Sequence, residues 1–262
     1  MPSAMVAERP QTMSFRAITQ PARRPTSPYG FKTADNCAAC GMKKESFFCR
    51  LSDRAMRDWD RIKHVNSYPE GALLFMEGEE ARGVYILCQG RVKLLTTNSE
   101  GKAFILKIAH PGQVFGLNSI VAGRPHEVTV ETMQPCQFAY VSREEFLRFI
   151  KDNGDACLRV VQQLGQECHS AYEVIRSLGL ASSVSEKLAK FLIGWSAEGR
   201  ESDGAVRIKL ALTHEELAQL IGCSRESVTR TLSDFKRQRL VELHGSTLLV
   251  WNKPALETLA AI

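Results

Sequence analysis

Long apolar runs are missing from this sequence, and that absence limits where the protein can reside. Its apolar runs are short, as at Val84–Cys88, and none approaches the roughly 20 residues that cross a bilayer. The start of the chain, Met1–Ser14, lacks the apolar stretch of a secretory signal because Glu8, Arg9 and Pro10 interrupt it. We therefore expect a cytoplasmic protein with no membrane partner, in which the eight cysteines stay reduced.

A large excess of charge of one sign is also missing. The formal net charge is +5, and charged residues make up 24% of the chain. This excludes a histone-like coat of positive charge and favours a localised contact with an anionic partner. The 262 residues, of which 44% are hydrophobic, are enough for two domains with cores of their own.

The N-terminal half divides into a tail and a glycine-rich region. Residues 1–34 carry five prolines and four arginines without a sustained hydrophobic period, which predicts a disordered basic tail. From Tyr68 to Val141, glycines recur every few residues between short runs of β-branched and aromatic residues, which is typical of an antiparallel β-roll. We assign residues 35–142 to a cysteine-bearing segment followed by a β-roll sensor domain.

Residues 143–181 have the pattern of a long helix. Apolar residues alternate spacings of four and three over about three heptads, at Cys157, Val161, Leu164, Cys168, Ala171, Ile175 and Leu178. Such a seam packs either on its own domain or on a second copy of the helix, and the spacing alone favours neither. Ser182, Ser183 and Ser185 then mark a hinge into a second domain, residues 182–262.

Residues 213–222 have the pattern of a short helix followed by a tight turn. Thr213 and Glu216 form a capping-box pattern, in which each side chain can bond to the backbone amide of the other. The small Ala218 leaves room for a second helix to cross, and Gly222 permits the turn of a helix-turn-helix. The pattern predicts that a second helix begins directly after the glycine.

The predicted second helix starts at Ser224, a good N-cap, and places charged side chains outward. In the major groove of double-stranded DNA, arginine donates paired hydrogen bonds to guanine and glutamate accepts one from cytosine. A charge run is more often a solvated helix face, but here the cap, the glycine turn and the small residue occur together. A β-hairpin wing is predicted around His244. The candidate DNA-binding residues are Thr213, Ser224, Arg225, Glu226, Thr229, Arg230 and His244.

These segments resemble a known family. Gly222–Arg230 is similar to the recognition helix of the Crp/Fnr superfamily, and Pro69–Phe75 with Gly90–Leu94 is similar to its β-roll signature. The resemblance implies an α+β fold: an N-terminal antiparallel β-roll like a cyclic-nucleotide-binding jelly roll, a long dimerisation helix and a C-terminal winged helix-turn-helix. It also implies a homodimeric transcription regulator that binds double-stranded DNA, with RNA polymerase as a further partner if the bound protein activates.

The resemblance assigns roles to the outward side chains of the second helix. Arg225 and Arg230 would read guanines and Glu226 a cytosine in a TGTGA-like half-site. Two half-sites would form a palindrome that matches the two-fold axis of the dimer. The Fnr branch usually lacks the arginine found at Arg225, so we do not expect a TTGAT-type site.

The resemblance also bears on which ligand the β-roll binds. Relatives that bind cyclic AMP hold its phosphate with a Gly-Glu dipeptide and an Arg-Ser pair, and the matching positions here are Gly116-Leu117 and His126-Glu127. The carboxylate of Glu127 would repel a phosphate. We therefore expect that cyclic AMP is not the ligand.

The cysteines suggest a different effector. Cys37-x2-Cys40-x8-Cys49 precedes the roll, and Cys136 lies late in it. Four thiolates are a complete ligand set for an iron–sulfur cluster, and their arrangement resembles the oxygen-sensing Fnr branch, which implies a [4Fe-4S] cluster. The gap before Cys49 is longer than is usual in that branch. The other cysteines are interpreted as structural: Cys88, Cys157, Cys168 and Cys223.

Other interpretations of these residues stay open. Cys136 can be an ordinary buried strand residue, and the N-terminal cysteines can hold zinc together with a fourth ligand. The thiols can also form a metal-free redox switch, or the regulator can lack an effector. A haem would need His64 or His126 as its axial ligand. Catalysis is not expected, because His110 and His126 lack the spacing of the metal-binding set found in oxygenases built on similar rolls.

Overall fold

The computed structural model describes residues 29–31, 37, 40, 49–180, 183–197, 199–202 and 204–260. The predicted basic tail, residues 1–34, lies outside the described residues apart from 29–31, and so does Ser182 of the predicted hinge. The helices and strands lie between Asp53 and Ala260.

The N-terminal domain is a β-roll, as the glycine-spaced runs predict. Its strands are β1 His64–Tyr68, β2 Leu73–Phe75, β3 Gly83–Gln89, β4 Val92–Thr97, β5 Ala103–Ala109, β6 Val114–Phe115, β7 Thr129–Thr132 and β8 Cys136–Ser142. They form one antiparallel sheet in the order β1-β8-β3-β6 and another in the order β2-β7-β4-β5. After β6 the chain turns sharply at Gly116, whose φ of 77° is a left-handed conformation that residues with a side chain rarely adopt.

The neighbouring strands β3 and β8 separate two hydrophobic cores. Successive side chains of a strand point to opposite faces of its sheet. Ile86 and Ala139, which are paired across the two strands, face one core, whereas the adjacent pair of Leu87 and Phe138 faces the other. We call the first the helix-side core and the second the sheet-side core, because the second is closed by Phe75, Val92 and Val130 from the other sheet.

Helices cover the helix-side core. They are α1 Asp53–Ile62, α2 Leu117–Ala122, α3 Arg143–Asp152 and α4 Gly154–Leu180. The Ser52 hydroxyl caps α1 by accepting a hydrogen bond from the Ala55 backbone amide at 3.3 Å. Trp59 of α1 is 2% exposed, and its ring lies 6.4 Å from that of Phe146 and 5.3 Å from that of Phe149. These ring contacts hold α1 and α3 together over the sheet.

Helix α4 has one face on the roll and one face in solvent. Val160 is buried, and Gln163 Nε2 donates a hydrogen bond of 2.9 Å to the Val114 carbonyl oxygen. The predicted heptad seam faces the other way, with Val161 59% and Ile175 64% exposed. Of the seam residues whose side chains are described, Leu164 packs against the helix-side core, whereas Cys157, Val161, Cys168, Ala171 and Ile175 are exposed. Most of the seam is therefore not packed on its own domain. Within the described residues, neither α4 nor any other helix is both long and apolar enough to span a membrane.

The C-terminal domain contains the predicted winged helix-turn-helix. Its elements are α5 Val184–Ser196, β9 Arg200–Ser202, β10 Ala205–Lys209, α6 His214–Ile221, α7 Arg225–Arg237, β11 Val241–His244, β12 Thr247–Val250 and α8 Lys253–Ala260. The strands form an antiparallel sheet in the order β11-β12-β10-β9, in which β11 and β12 are the predicted wing. The expected α+β fold is confirmed. The sequence patterns do not predict α5, β9, β10 and α8 individually, because α5, β10 and α8 are stabilised by packing into the shared core and β9 by pairing with β10.

The two domains meet where α6 lies against the β4–β5 hairpin. Lys93 Nζ in β4 lies 3.0 Å from Glu131 Oε1 in β7 and 3.5 Å from Glu216 Oε1 in α6. The Lys93 side chain is 15% exposed, so water screens these attractions only in part. Lys93 therefore joins the roll to the first helix of the helix-turn-helix.

Candidate nucleic-acid interface and sensory site

The start of α6 has the capping box that the sequence predicts. The Thr213 hydroxyl accepts a hydrogen bond from the Glu216 amide at 3.1 Å, and the Thr213 amide donates one to Glu216 Oε2 at 2.9 Å. The helix ends at Gly222, which has a left-handed φ of 64°. These two local features fix the length of α6 and the point at which α7 begins.

Helix α7 presents a charged face outward from a buried apolar face. The Ser224 hydroxyl caps it by accepting from the Ser227 amide at 3.2 Å. The inward side is buried in the C-terminal core, with Val228, Leu232 and Phe235 at 5% exposure or less. The predicted reading residues Arg225, Glu226, Thr229 and Arg230 are all exposed. The structure therefore brings the predicted base-reading set together on one accessible helix face.

Glu226 is prepared to act as a hydrogen-bond acceptor. Its own backbone amide and the Ser224 side chain hydrogen-bond to the carboxylate and hold the pKa of Glu226 below its ordinary value, and Arg225 adds to this effect. Because the ionised form is favoured, the side chain accepts hydrogen bonds and does not donate them. That is the form that can accept from the amino group of cytosine.

Thr229 has a second role that the sequence did not indicate. Its hydroxyl donates to the Arg225 carbonyl oxygen at 2.9 Å and is also hydrogen-bonded to His214 Nδ1 at 2.9 Å. His214 is the first residue of α6, so this pair ties the two helices together. We find no sequence signal for it, because the two residues lie in different helices.

The remaining candidates lie at the edges of the reading face. Ser224 is the N-cap of α7 and Thr213 is the N-cap of α6, so each of them fixes where a helix begins. His244 ends β11 in the wing, where its side chain is 61% exposed and Nε2 lies 3.0 Å from Glu242 Oε1. Exposed basic side chains that could meet phosphates surround these positions: Arg207, Lys209, Lys236, Arg237 and Arg239.

The residues that the resemblance aligns with phosphate contacts of cyclic-AMP-binding relatives are Gly116, Leu117, His126 and Glu127. Leu117 is buried, and His126 is 4% exposed with its ring stacked on that of Phe75 at a centroid distance of 3.7 Å. Burial lowers the pKa of His126, which favours the neutral ring. Glu127 Oε2 accepts a hydrogen bond from Asn118 Nδ2 at 2.5 Å. These residues offer a neutral ring and a carboxylate, whereas a phosphate requires positive charge.

The first predicted metal ligand, Cys37, is anchored near the end of α1. Its backbone amide donates to Asp60 Oδ1 at 3.0 Å, and Lys63 Nζ donates to its Sγ at 2.8 Å. Burial raises the pKa of Cys37 to about 11, although the Lys63 ammonium opposes this rise. The Cys40 amide donates to the Cys37 carbonyl oxygen at 3.2 Å, so these two cysteines lie in one turn.

Cys136 lies in a different core from Cys37. It is completely buried among residues of the sheet-side core, whereas Cys37 packs against the helix-side core. Its thiol lies within hydrogen-bond distance of the carbonyl oxygens of Arg91 at 3.2 Å and Gln134 at 3.1 Å, and burial raises its pKa to about 11. The structure therefore does not bring Cys136 together with the N-terminal cysteines.

Cys88, for which the sequence favours a structural role, lies on the same side of the sheet as Cys37. It is half-buried in β3 and packs against the same helix-side core as Cys37. Burial raises the pKa of Cys88 to about 12, and the neighbouring thiols of Cys37, Cys49 and Cys40 raise it further. Among the described residues, no three histidine, cysteine, aspartate or glutamate side chains already stand close enough to hold a metal ion. The predicted set of Cys37, Cys40, Cys49 and Cys136 is therefore not assembled in this structure.

The chain matches known families in both of its domains. Residues 65–153 match the cyclic nucleotide-binding domain, and residues 186–259 match the Crp-like helix-turn-helix domain. The cAMP-activated global transcriptional regulator CRP of Salmonella typhimurium is 28% identical over 189 residues, covering 72% of this chain and 90% of that protein. A CRP-like cAMP-activated global transcriptional regulator of Mycobacterium tuberculosis is 28% identical over 184 residues, covering 70% of this chain and 82% of that protein.

Solved structures share the same arrangement of elements. FixK2 from Bradyrhizobium japonicum matches with a TM-score of 0.68 at 23% identity and covers 77% of this chain and 98% of its own. A CooA mutant from Carboxydothermus hydrogenoformans matches with a TM-score of 0.67 at 22% identity and covers 76% of this chain and 88% of its own. At these identities the likeness establishes the fold alone: a roll, a long helix and a C-terminal helix-turn-helix.

Proposed function

Because the chain belongs to the Crp/Fnr family of DNA-binding transcription regulators, we propose that it is a homodimer that reads a TGTGA-like palindrome under the control of an N-terminal iron–sulfur cluster. The observation that carries the DNA-reading part is the outward face of α7. Arg225, Glu226 and Arg230 are exposed there on a helix that is capped at its start and buried along its other side. Side chains of these types can distinguish guanine and cytosine in the major groove.

The exposed seam of α4 supports the dimer. Apolar side chains at Leu158, Val161, Tyr172 and Ile175 are each more than half exposed in the single chain. Their burial against a second copy of α4 would remove this area from water. A dimer formed along α4 would also present two copies of α7, as a palindromic operator requires.

The sensory part of the proposal rests on the cysteines near α1. Cys37, Cys40 and Cys49 would hold the cluster together with a fourth thiol from the roll, which the sequence predicts to be Cys136. When bound, such a cluster supplies sensitivity to oxygen or nitric oxide, because these molecules degrade it. We therefore expect DNA binding at low oxygen and its loss in air.

Contacts of the chain itself connect the cysteine segment to the dimerisation helix. Ser52, three residues after Cys49, donates its backbone amide to Asp155 Oδ2 at 2.7 Å. Asp155 lies in the first turn of α4, and this hydrogen bond lowers the pKa of its carboxyl group, which burial would otherwise raise. A displacement of the cysteine segment would thus reach the start of α4 directly. By reciprocity, dimer formation along α4 would also affect the cysteine segment through this contact.

The absence of cyclic-AMP control is part of the same proposal. Curated relatives of 28% identity are cAMP-activated by name, so the fold by itself does not decide the ligand. The buried His126 ring and the Glu127 carboxylate are the groups that the resemblance aligns with the phosphate contacts, and neither supplies positive charge. We expect that cyclic AMP changes neither the stability nor the operator affinity of this protein.

The test measures operator binding with and without oxygen. Full-length protein is purified anaerobically, and its iron, sulfide and zinc contents are measured with its absorbance near about 400 nm. We expect iron and sulfide, a broad absorbance and tighter binding of a TGTGA palindrome without oxygen, with no effect of added cyclic AMP. A colourless, iron-free protein that binds its operator equally in air would rule out the sensory part. Zinc in place of iron would indicate a structural metal.

A further inference from the structure

We propose that Cys168 in α4 is an intersubunit disulfide site, at which two copies of this chain become joined across the dimer axis by reaction with a peroxide. This inference rests on the proposed dimer along α4 and adds a covalent state to that dimer. It departs from the structural role that the sequence favours for Cys168. The thiols near α1 take no part in it.

Exposure separates two of the cysteines from the others. The structure describes all eight, and only Cys157 and Cys168 among them are exposed, while the rest are half-buried or buried. Both lie in the apolar seam of α4, on a different face of the helix from Val160 and Gln163, which pack on the roll. Oxidants attack exposed thiols more readily than buried ones. The two accessible thiols are therefore the two that a second copy of α4 would meet.

These two thiols cannot form a disulfide with each other inside one chain. Helix α4 is continuous from Gly154 to Leu180, and Cys157 lies about three turns before Cys168, which is roughly 16 Å along the axis. A disulfide needs Cα atoms within about 7 Å of each other. A disulfide between exposed thiols therefore needs a second chain.

The seam pattern predicts that the two α4 helices run in the same direction. Its spacing makes Val161, Cys168 and Ile175 successive a positions and Leu164 a d position. β-Branched residues at a and leucine at d are typical of parallel two-stranded coiled coils. A parallel pair also places both C-terminal domains at the same end of α4, where two copies of α7 can reach the half-sites of one palindrome.

In a parallel pair with two-fold symmetry, a residue of the seam faces its own copy. The symmetry makes every contact reciprocal, so the a position of one helix meets the same a position of the other. Packed helix axes lie about 8 to 10 Å apart and Cα atoms about 2.3 Å from their axis, so facing Cα atoms are roughly 4 to 6 Å apart. A disulfide spans this distance. The dimer would thus bring the two Cys168 thiols within bonding reach.

The position of Cys168 along the seam favours it over Cys157. Cys157 lies in the first turn of α4, so other seam residues flank it on its C-terminal side only. Cys168 has Leu164 one turn before it and Ala171 one turn after it, so packing on both sides would hold its two copies face to face. Ala171 is also small, which lets the two backbones approach. We therefore expect the bond to form at Cys168.

Formation of the bond needs an oxidant, which here is a peroxide. One Cys168 thiolate attacks hydrogen peroxide, breaks its O–O bond and becomes a sulfenic acid, while the hydroxide that leaves takes up a proton to give water. The thiolate of the second copy then attacks the sulfenic sulfur, so that the S–S bond forms and a second water leaves. Two thiols lose two electrons and two protons, and one peroxide molecule takes them up.

The disulfide would lock the protein in the form that binds DNA. A reduced dimer dissociates on dilution, and each monomer then presents a single α7. The linked pair presents two copies of α7 at every concentration. Peroxide should therefore preserve operator binding at protein concentrations at which an unlinked protein loses it.

The experiment follows the covalent dimer in the full-length protein. Wild type, Cys168→Val, Cys157→Ser and the control Cys223→Ser are treated with hydrogen peroxide and compared on non-reducing gels, and mass spectrometry identifies the linked peptides. Valine keeps the seam apolar and suits an a position. We expect a Cys168-to-Cys168 link in every protein except Cys168→Val, which should form roughly tenfold or more less covalent dimer. Circular dichroism and ultracentrifugation with a reductant show whether each variant is folded and dimeric, and Cys168→Ala is the second variant at that position.

Operator binding tests the lock. Peroxide-treated wild type and peroxide-treated Cys168→Val are diluted to about a tenth of the dissociation constant of the reduced dimer, and binding of the same operator is measured. Any cluster that peroxide destroys is lost from both proteins, so the difference between them isolates the disulfide. We expect the wild type to bind at least about tenfold more tightly than the variant, and a reductant to abolish this difference.

The possible outcomes separate this inference from the proposed function. A wild type that is dimeric with reductant but gives no covalent dimer with peroxide would overturn the disulfide and leave the proposed dimer intact. Covalent dimers that persist in Cys168→Val through Cys157 would overturn it as well. Linked wild type that loses operator binding on dilution as steeply as Cys168→Val would overturn the lock. A wild type that is monomeric with reductant would overturn the proposed dimer and this disulfide together.

Discussion

The reading face of α7 and the thiol site near α1 differ in how far apart their residues lie in the chain. Ser224, Arg225, Glu226 and Arg230 fall within two turns of one helix, whose start is fixed by a glycine turn and a cap. The predicted thiol set runs from Cys37 to Cys136 and depends on which face of a sheet each residue meets. The comparison teaches that a site within one helix is determined locally, while a site across a sheet is determined by packing.

The largest expected effect concerns dimerisation, because a palindromic operator needs two copies of the reading face of α7. Val161→Glu places a charge on the exposed α4 seam, so we expect a monomer in analytical ultracentrifugation and at least about 100-fold weaker operator binding. Gln162→Glu is the matched control, because it adds the same charge one residue away and off the seam. Full affinity in Val161→Glu would show that α4 is not the dimer interface.

The next effect tests the reading face residue by residue. We expect Arg225→Ala and Arg230→Ala each to cost about 1 to 3 kcal/mol of operator binding and to relax discrimination at one base pair. The control is Arg237→Ala, at the end of the same helix and 2.7 Å from Asp234, which should weaken all sequences alike. Binding is measured against operators with single base-pair changes. An unchanged preference for TGTGA in Arg225→Ala would contradict the half-site.

A smaller effect concerns the contact between the β-roll and the C-terminal domain. Lys93→Met removes the ammonium that lies between Glu131 and Glu216, so we expect about 1 kcal/mol lower stability and faster hydrogen exchange in α6 and β5. Lys107→Met, on the strand paired with β4, is the matched control. Exchange in α6 that is equal in both variants would show that Lys93 does not hold the domains together.

The smallest effect concerns the buried ring of His126. The folded-state pKa of His126 lies below its ordinary value of 6.5, so the unfolded chain takes up a proton first as the pH falls. Its contribution to stability is therefore complete above about pH 6.5 and is lost as the pH falls below that value. Urea unfolding of wild type and His126→Phe between about pH 5 and 8 measures it. The Phe variant should lose this part of the pH dependence. Identical curves for the two proteins would show that His126 does not contribute to it.

The sequence predicted the fold well. The α+β fold, the β-roll and the helix-turn-helix are confirmed, and the family consists of transcription regulators, so the expectation that the chain is not an enzyme is also confirmed. The capping box of Thr213 and Glu216 forms as predicted. The metal ligands, the half-site and the absence of cyclic AMP stay predictions.

What the sequence determined by itself is local: where α6 and α7 begin, which residues of α7 point outward and where the α4 seam runs. Caps, turns and helical periods involve residues within a few positions of one another, so their pattern is visible along the chain. The tertiary structure alone decided that Thr229 bonds to His214, that Lys93 bridges to Glu216 and that Cys37 bonds to Lys63. These pairs come from separate elements, and no spacing along the chain records how those elements pack.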